Sequence, residues 1–291
     1  MLNNGIPKLA SRDTMGPAVT IVMPTFRRAH AIGESIKSLL QGRWTDFELL
    51  VRDDGDGSDG TEQAVAAAAN GDSRVLYHRN HKNMRMPGNL NAGIEASRGE
   101  FIAVCHDHDI YTPAFIETMV KTLQRHPSAL FVHCAIEVIS QGSELIQTHV
   151  ADWPDVTAGA TWLKFMLRSL NCPVCALTVV RREAHEQYGL YDPSYGFIAD
   201  VEMWMRLSNH GDVAYVRDPL IQVREREDDH VETKNSARNV RIAVDINRRY
   251  LPYAYDRRER VTHRLRLEAE VIRRSLRNEL SRFAHALARS G

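Results

Sequence analysis

The chain has 291 residues, 43% of them hydrophobic and 25% charged, and its 37 basic and 37 acidic side chains leave no formal net charge. These are the proportions of an ordinary globular protein that can bury a large core. No run of about 18 apolar residues occurs, which excludes a transmembrane helix. No second cysteine pair with suitable spacing accompanies Cys172 and Cys175, which argues against a structural zinc site.

The charge is unevenly distributed along the chain. Residues 234–291 carry 15 basic and 6 acidic side chains, which leaves 22 basic and 31 acidic ones before them. With the elements described below, this predicts a flexible leader (1–18), one domain (19–230) and a basic amphipathic helical tail (231–291). The polar N-terminal residues do not resemble a signal peptide. We therefore expect a cytoplasmic protein, either free or attached peripherally to the inner membrane face.

Short apolar strands alternate with helices up to residue 113. This alternation predicts an α/β fold in which helices flank a mostly parallel sheet. The predicted strands are Val19–Pro24, Phe47–Val51, Arg74–His78 and Phe101–Val104, and the predicted helices are Ile32–Leu40, Thr61–Asn70 and Asn89–Ser97.

The alternation loosens after residue 113. A helix is predicted first, then a long strand with a hairpin partner, and later a helix that carries Asp200 near its N-terminus. The predicted elements are the helices Ala114–Arg125, Thr161–Ser169 and 196–207, and the strands Ala129–Ile139, Glu144–Val150, Val174–Val180 and Pro219–Arg224.

Polar loops follow three of the predicted strands. Pro24–Arg27 ends the first, Asp53 and Asp54 end the second, and His106–Asp109 follows the strand at 101. Carboxyl ends of parallel strands meet at one edge of a sheet, where open α/β folds bind ligands. Carboxylates and imidazoles bind divalent cations, which can neutralise a phosphate-bearing substrate. This convergence favours a site over three unrelated solvated loops.

Five motifs follow one another along the chain. These are Val19-Thr-Ile-Val-Met-Pro-Thr-Phe-Arg27, Phe47-Glu-Leu-Leu-Val-Arg-Asp-Asp-Gly55, Asn91-Ala-Gly-Ile-Glu-Ala-Ser-Arg-Gly-Glu-Phe-Ile102, Asp200-Val-Glu-Met-Trp-Met-Arg-Leu207 and Pro219-Leu-Ile-Gln-Val-Arg224. In this order, and over about residues 19 to 230, the chain resembles the family 2 glycosyltransferases, which have the single-domain GT-A fold.

The resemblance implies a metal-dependent, inverting transfer of a sugar from a nucleoside-diphosphate sugar. We expect the nucleotide of this donor to be UDP. The acceptor would be a hydroxyl of a glycan or lipid-linked glycoconjugate in polysaccharide or lipopolysaccharide synthesis. Residues 19–113 would bind the nucleotide sugar and 114–230 the acceptor, with Asp200 as the catalytic base. Asp54 would accept the imide N–H of uracil. The implied donor-binding set is Pro24, Thr25, Phe26, Arg27, Asp54, Arg85, Asp107 and His108.

The metal ligands stay open at this point. An Asp-x-Asp alignment assigns Asp107 and Asp109 to a Mn²⁺ or Mg²⁺ ion, whereas alignment on Pro113 places His108 at the usual carboxylate position. A histidine ligand would shift the preference towards manganese. His230 either completes the metal shell or is a solvated residue.

Two residues of the Asp200 motif are candidates for acceptor binding. Glu202 and Trp204 could contact an acceptor sugar, and Trp204 could instead belong to the core. The arginine-rich apolar stripe over 256–289 predicts a homodimer seam, packing against the domain, or a peripheral membrane contact. The neutral overall charge argues against a nucleic-acid partner.

Two rival functions remain. A sugar nucleotidyltransferase would need a glycine-rich loop after the first strand, where this chain has Pro24–Arg27. A non-catalytic binding or scaffold protein with the same fold is suggested by the altered metal motif and by Asp56-Gly57, which lengthens the loop before Ser58.

Overall fold

The computed structural model describes residues 9, 16–169, 172–174, 178–225, 237–269 and 273. His230, most of the predicted leader and most of the tail beyond 269 lie outside the described residues. Within them, no helix has the length and apolarity needed to cross a membrane.

The first half of the domain follows the predicted alternation closely. Helix α3 begins at Arg85, four residues before the predicted start at Asn89. Met86 has an extended backbone (ψ 137°), so the regular part of the helix begins after that residue. The elements are β1 (Val19–Thr25), α1 (Ile32–Leu40), β2 (Phe47–Asp53), α2 (Thr61–Ala69), β3 (Val75–Arg79), α3 (Arg85–Ala96), β4 (Phe101–Val104), β5 (Ile110–Tyr111) and α4 (Phe115–Arg125).

The second half is more irregular. The predicted hairpin is present, because β6 and β7 pair antiparallel, whereas the strand predicted over 174–180 begins only at Val179. The elements are β6 (Ala129–Ile139), β7 (Leu145–His149), β8 (Val156–Thr157), α5 (Gly159–Ser169), β9 (Val179–Arg181), α6 (Arg182–Tyr188), a 3₁₀ helix (Pro193–Ile198), α7 (Ala199–Ser208), β10 (Asp212–Arg224) and α8 (Ala237–Ala254). A further helix covers 257–269.

All described strands form one sheet, whose main order is β3-β2-β1-β4-β9-β6-β10-β5. The first four strands are parallel, as predicted. In the second half, β6 and β10 are also parallel, whereas β9 pairs antiparallel with both β4 and β6. The sheet is therefore mixed, and a short reversed strand joins its two halves.

The core holds the carboxyl ends of the parallel strands in place. Every residue of β4 is buried, and β1 is buried except for a half-buried Pro24. Helix α3 lies very close to β1, because a Cβ at Gly93 would overlap the side chain of Val22. This close packing positions the start of α3 beside the ends of β1 and β2.

Candidate functional site

A cavity of about 1480 Å³ opens at the carboxyl edge of the sheet. Thr25 ends β1, Asp54 follows β2 and Val104 ends β4, so the three predicted loops do converge there. The side chains of Arg27, Asp109 and Glu202 are not part of the cavity wall. The predicted residues that line it are Pro24, Thr25, Phe26, Asp54, Arg85, Asp107, His108, Asp200 and Trp204.

The paired acids after β2 have different surroundings. Asp53 is fully buried, and its Oδ2 accepts a 2.6 Å hydrogen bond from the Tyr77 hydroxyl. Burial, together with the hydrogen bond to Asp53, raises the pKa of Tyr77 well above its ordinary value. Asp53 thus stabilises the turn, and Asp54 is the member of the pair that reaches the cavity.

Asp54 holds the segment that leads into α3. Its Oδ1 accepts the backbone N–H of Met84 and its Oδ2 that of Arg85, each at 2.7 Å. Asn80 Nδ2 also donates to Oδ1 at 2.8 Å. Arg85 has a φ of +57°, a conformation that costs a residue with a Cβ about 1 kcal/mol or more. The carboxylate therefore keeps a strained arginine at the cavity wall.

Arg27 does not line the cavity despite its place in the first motif, although its guanidinium lies 5.4 Å from the ring centroid of Phe26, which does. Its Nη2 donates to Asp56 Oδ2 at 3.0 Å, and both side chains are more than half exposed. The hydrogen bonds from Ser58 and Arg27 lower the pKa of Asp56 to about 2. The inserted Asp56 thus holds Arg27 on the surface, while the neighbouring Arg28 lines the cavity instead.

The loop after β4 brings two histidines and one acid together. His106 Nδ1 lies 3.0 Å from Asp109 Oδ2, and His108 Nε2 lies 3.8 Å from Asp109 Oδ1. The two imidazole rings are nearly parallel, with centroids 5.5 Å apart. Burial acts to raise the pKa of Asp109, but the hydrogen bond from His106 and the nearby imidazoles outweigh it and lower that pKa. Asp109 is therefore an ionised carboxylate inside the protein.

This loop contains a donor set suited to a divalent cation. One ligand atom each from His106, His108 and Asp109 lie within 4.8 Å of one another. Imidazole nitrogens with a carboxylate oxygen suit borderline transition metals. Asp107 has another contact, since its Oδ1 lies 3.0 Å from His108 Nδ1, and it can orient that imidazole. His106 is the candidate ligand that sequence reasoning missed, although its place in the His-Asp-His-Asp run was a usable signal.

Arg224, the last residue of β10, lines the cavity and also holds the same loop. Its backbone N–H donates to Asp109 Oδ1 at 3.1 Å, and its Nε donates to the His108 carbonyl at 3.3 Å. Its Nη2 pairs with Glu34 Oε2 at 2.7 Å. The closing strand therefore determines the shape of the loop, which the sequence motif alone did not indicate.

Asp200 lines the same cavity as this loop. It is the second residue of α7, and its side chain is exposed. Burial, aided by the Asp200 charge, raises the pKa of Tyr191 well above its ordinary value. An exposed carboxylate on the cavity wall can accept a proton from a bound hydroxyl group.

The two candidates for acceptor binding differ in position. Glu202 is fully buried and ion-paired with Arg206 at 3.1 Å, so the structure places it in the interior rather than at an acceptor. Trp204 is 3% exposed and packs on Phe131 with ring centroids 5.0 Å apart. Trp204 is a core residue with one edge in the cavity wall.

Comparisons with known proteins give one consistent family. The model described as "Glycosyl transferase family 2" matches residues 20–189. A GalNAc(5)-diNAcBac-PP-undecaprenol beta-1,3-glucosyltransferase of Campylobacter jejuni is 30% identical over 122 residues, or 42% of this chain and 39% of that protein. The match thus spans well under half of that relative. An uncharacterized glycosyltransferase of Rickettsia typhi is 25% identical over 237 residues, or 78% of this chain and 69% of that protein.

A solved structure resembles most of the chain. The crystal structure of S. aureus TarS 1-349 in complex with UDP-GlcNAc superposes with a TM-score of 0.65 at 15% identity. The match covers 89% of this chain and 72% of that one. This likeness confirms the α/β architecture predicted for the domain.

Proposed function

Because the chain belongs to glycosyl transferase family 2 and has the GT-A fold, we propose that it is an inverting, metal-dependent transferase. It would move a sugar from a UDP-linked donor to a hydroxyl of a glycan or glycoconjugate. The single observation that carries the proposal is the cavity at which Asp54, the His106–His108 loop and Asp200 lie together.

The donor side of the cavity suits a nucleoside diphosphate. Phe26 is 48% exposed at the cavity and offers a ring face to a base. Arg28 and Arg85 line the same wall and supply positive charge for phosphate oxygens. Since Asp54 already accepts two backbone N–H groups, its role in the proposal is to hold the Met84–Arg85 segment around the nucleotide. The solved relative that was crystallised with UDP-GlcNAc favours a UDP-linked donor.

His106, His108 and Asp109 are the residues that would hold the metal. A bound divalent cation supplies stabilisation for the negative charge that develops on the diphosphate leaving group. The two imidazoles favour manganese over magnesium in this role. Asp107 would keep His108 in the correct orientation through the 3.0 Å contact.

Asp200 is the proposed general base. The acceptor hydroxyl oxygen forms a bond to the anomeric carbon of the donor sugar, and the bond between that carbon and the diphosphate oxygen breaks. The diphosphate leaves with the bonding electron pair, and the hydroxyl proton passes to the Asp200 carboxylate. Attack from the side opposite the leaving group inverts the anomeric configuration.

Calorimetric titration with UDP, with and without Mn²⁺, tests the proposal together with a donor screen. We expect UDP to bind more tightly when Mn²⁺ is present, and one UDP-sugar among UDP-, GDP- and dTDP-sugars to release its nucleotide. Binding without turnover of any donor would favour a scaffold protein, and the absence of binding by any nucleotide would overturn the proposal.

A further inference from the structure

Helix α8 lies outside the region that the family model matches, which ends at residue 189. It packs against α7 and the 3₁₀ helix, whose residues line the cavity. Tyr250 of α8 is 2% exposed, and its hydroxyl donates to Glu202 Oε1 at 2.6 Å. Glu202 lies two residues after Asp200 in the first turn of α7. This buried hydrogen bond joins α8 to the helix that carries the proposed base.

Glu202 is the centre of a buried polar network. Its Oε2 pairs with Arg206 Nη2 at 3.1 Å. Arg206 donates in turn to the carbonyls of Gly189 at 3.0 Å and Leu190 at 2.7 Å. Buried charges are tolerated when paired and hydrogen-bonded, and loss of one partner is costly. The network therefore ties the start of α7 to the chain segment before the 3₁₀ helix.

Arg249, next to Tyr250, holds the 3₁₀ helix itself. Its Nη1 donates to the Tyr195 hydroxyl at 2.7 Å and lies 4.0 Å from Glu202 Oε1. The residues that follow Tyr195 line the cavity up to Asp200. From the opposite side, Asn91 of α3 exchanges two hydrogen bonds with the backbone of Tyr191, at 2.8 and 3.1 Å.

We propose that Tyr250 and Arg249 are positioning residues that set the place of Asp200 relative to the donor-binding wall. The assignment of Asp200 as the base comes from the proposed function, on which this inference rests. Neither α8 residue touches the cavity. Each acts through the segment from Tyr195 to Glu202. Displacement of a catalytic group by about 1 Å can lower the rate roughly 100-fold, so a small shift of this segment is enough to reduce the rate.

Hydrogen–deuterium exchange on the full chain tests the positioning without any substrate. Tyr250→Phe removes one hydroxyl, and we expect amide exchange over residues 193–202 to become about fivefold faster. Tyr255→Phe is the matched control, since the buried Tyr255 accepts from Arg168 Nε at 3.1 Å and donates to the Lys164 carbonyl at 3.4 Å in α5. Unchanged exchange over 193–202 in Tyr250→Phe, or equal changes in both variants, would overturn the proposal.

Nucleotide release from the active UDP-sugar then tests the catalytic consequence. In Tyr250→Phe and in Arg249→Met we expect kcat to fall about tenfold or more while the KM for the donor and the UDP affinity stay unchanged. Tyr255→Phe should keep the wild-type kcat. A fall in UDP affinity equal to the fall in kcat would show general destabilisation and contradict positioning. If the wild-type chain turned over no donor, the proposed function would be wrong. The hydrogen–deuterium exchange data would still test whether Tyr250 holds the segment 193–202 in place.

Discussion

The backbone N–H of Arg224 donates to Asp109 Oδ1 at 3.1 Å, across 115 residues of sequence. The other oxygen of the same carboxylate, Oδ2, lies 3.0 Å from His106 Nδ1. Asp109 therefore connects the closing strand to an imidazole at the cavity. Asp109 thus differs from Asp107, the other acid of the His106–Asp109 loop, whose carboxylate contacts His108 Nδ1.

Asp109→Asn should abolish the effect of Mn²⁺ on UDP binding, because it removes the ionised carboxylate of the donor set. It should also reduce the free energy of unfolding by about 1–3 kcal/mol, as expected when a buried hydrogen-bonded charge is lost. Asp107→Asn is the matched variant and should weaken the Mn²⁺ effect only partly. Calorimetry and urea denaturation measure both. A complete loss in Asp107→Asn with no loss in Asp109→Asn would make Asp107 the ligand.

Asp200→Asn should lower kcat by about 10² to 10⁴, the usual contribution of a general base. The amide keeps the size of the side chain, so UDP affinity should not change. Asp192→Asn serves as the control, since Asp192 caps the nearby 3₁₀ helix by accepting from the Ser194 N–H at 2.9 Å. Asparagine caps almost as well. The rate of nucleotide release by both variants measures this effect. An Asp200→Asn variant with wild-type activity would exclude Asp200 as the base.

Arg85→Gly should be more stable than Arg85→Ala by about 1 kcal/mol, because glycine adopts the φ of +57° without a Cβ penalty. Both variants should bind UDP roughly tenfold more weakly, which is the loss expected when a charged phosphate contact is removed. Arg27, with a φ of +54°, gives the matched pair. Its glycine and alanine variants should show the same difference in stability with a smaller change in UDP affinity. Equal losses of UDP affinity at both positions would show that Arg27 also contacts the nucleotide.

The parallel half of the fold could be predicted because its buried strands are compact apolar runs, such as Val19–Pro24, ended by proline or acids. The antiparallel β9 could not, since a three-residue strand has no periodicity to read and its direction depends on the strands on both sides. Asp200 and Asp54 were expected at the cavity from their motifs. The contact of Arg224 with Asp109 and the displacement of Arg27 by Asp56 both depend on tertiary contacts, which sequence spacing does not contain.

Acidification should destabilise the protein below about pH 6.5. Burial lowers the pKa of His133 to about 3, and burial with the charge of Arg206 does the same for His185. An unfolded histidine titrates near 6.5, so between these values the unfolded chain binds protons that the folded chain does not. Each histidine then costs up to about 1.4 kcal/mol per pH unit as the pH falls. Above pH 6.5 both states are neutral and the contribution disappears.

His133→Phe tests this sign directly. Neither ring nitrogen of His133 has a hydrogen-bond partner among the described residues, and its ring packs on that of Tyr215 at 4.9 Å between centroids. Urea denaturation between pH 7.5 and 5 should give a shallower loss of stability for this variant than for the wild type. The same slope in both proteins would show that His133 is protonated when folded.

The position of β9 has a consequence for how the protein folds. Residues 101–103 pair with β9 on one side of the sheet and residues 131–132 pair with it on the other. A growing chain must therefore reach about residue 181 before the middle strands of its sheet meet. Contacts between such distant residues slow folding, and until then β4 presents an open strand edge that can pair with other chains. We expect the nascent protein to depend on chaperones during that interval.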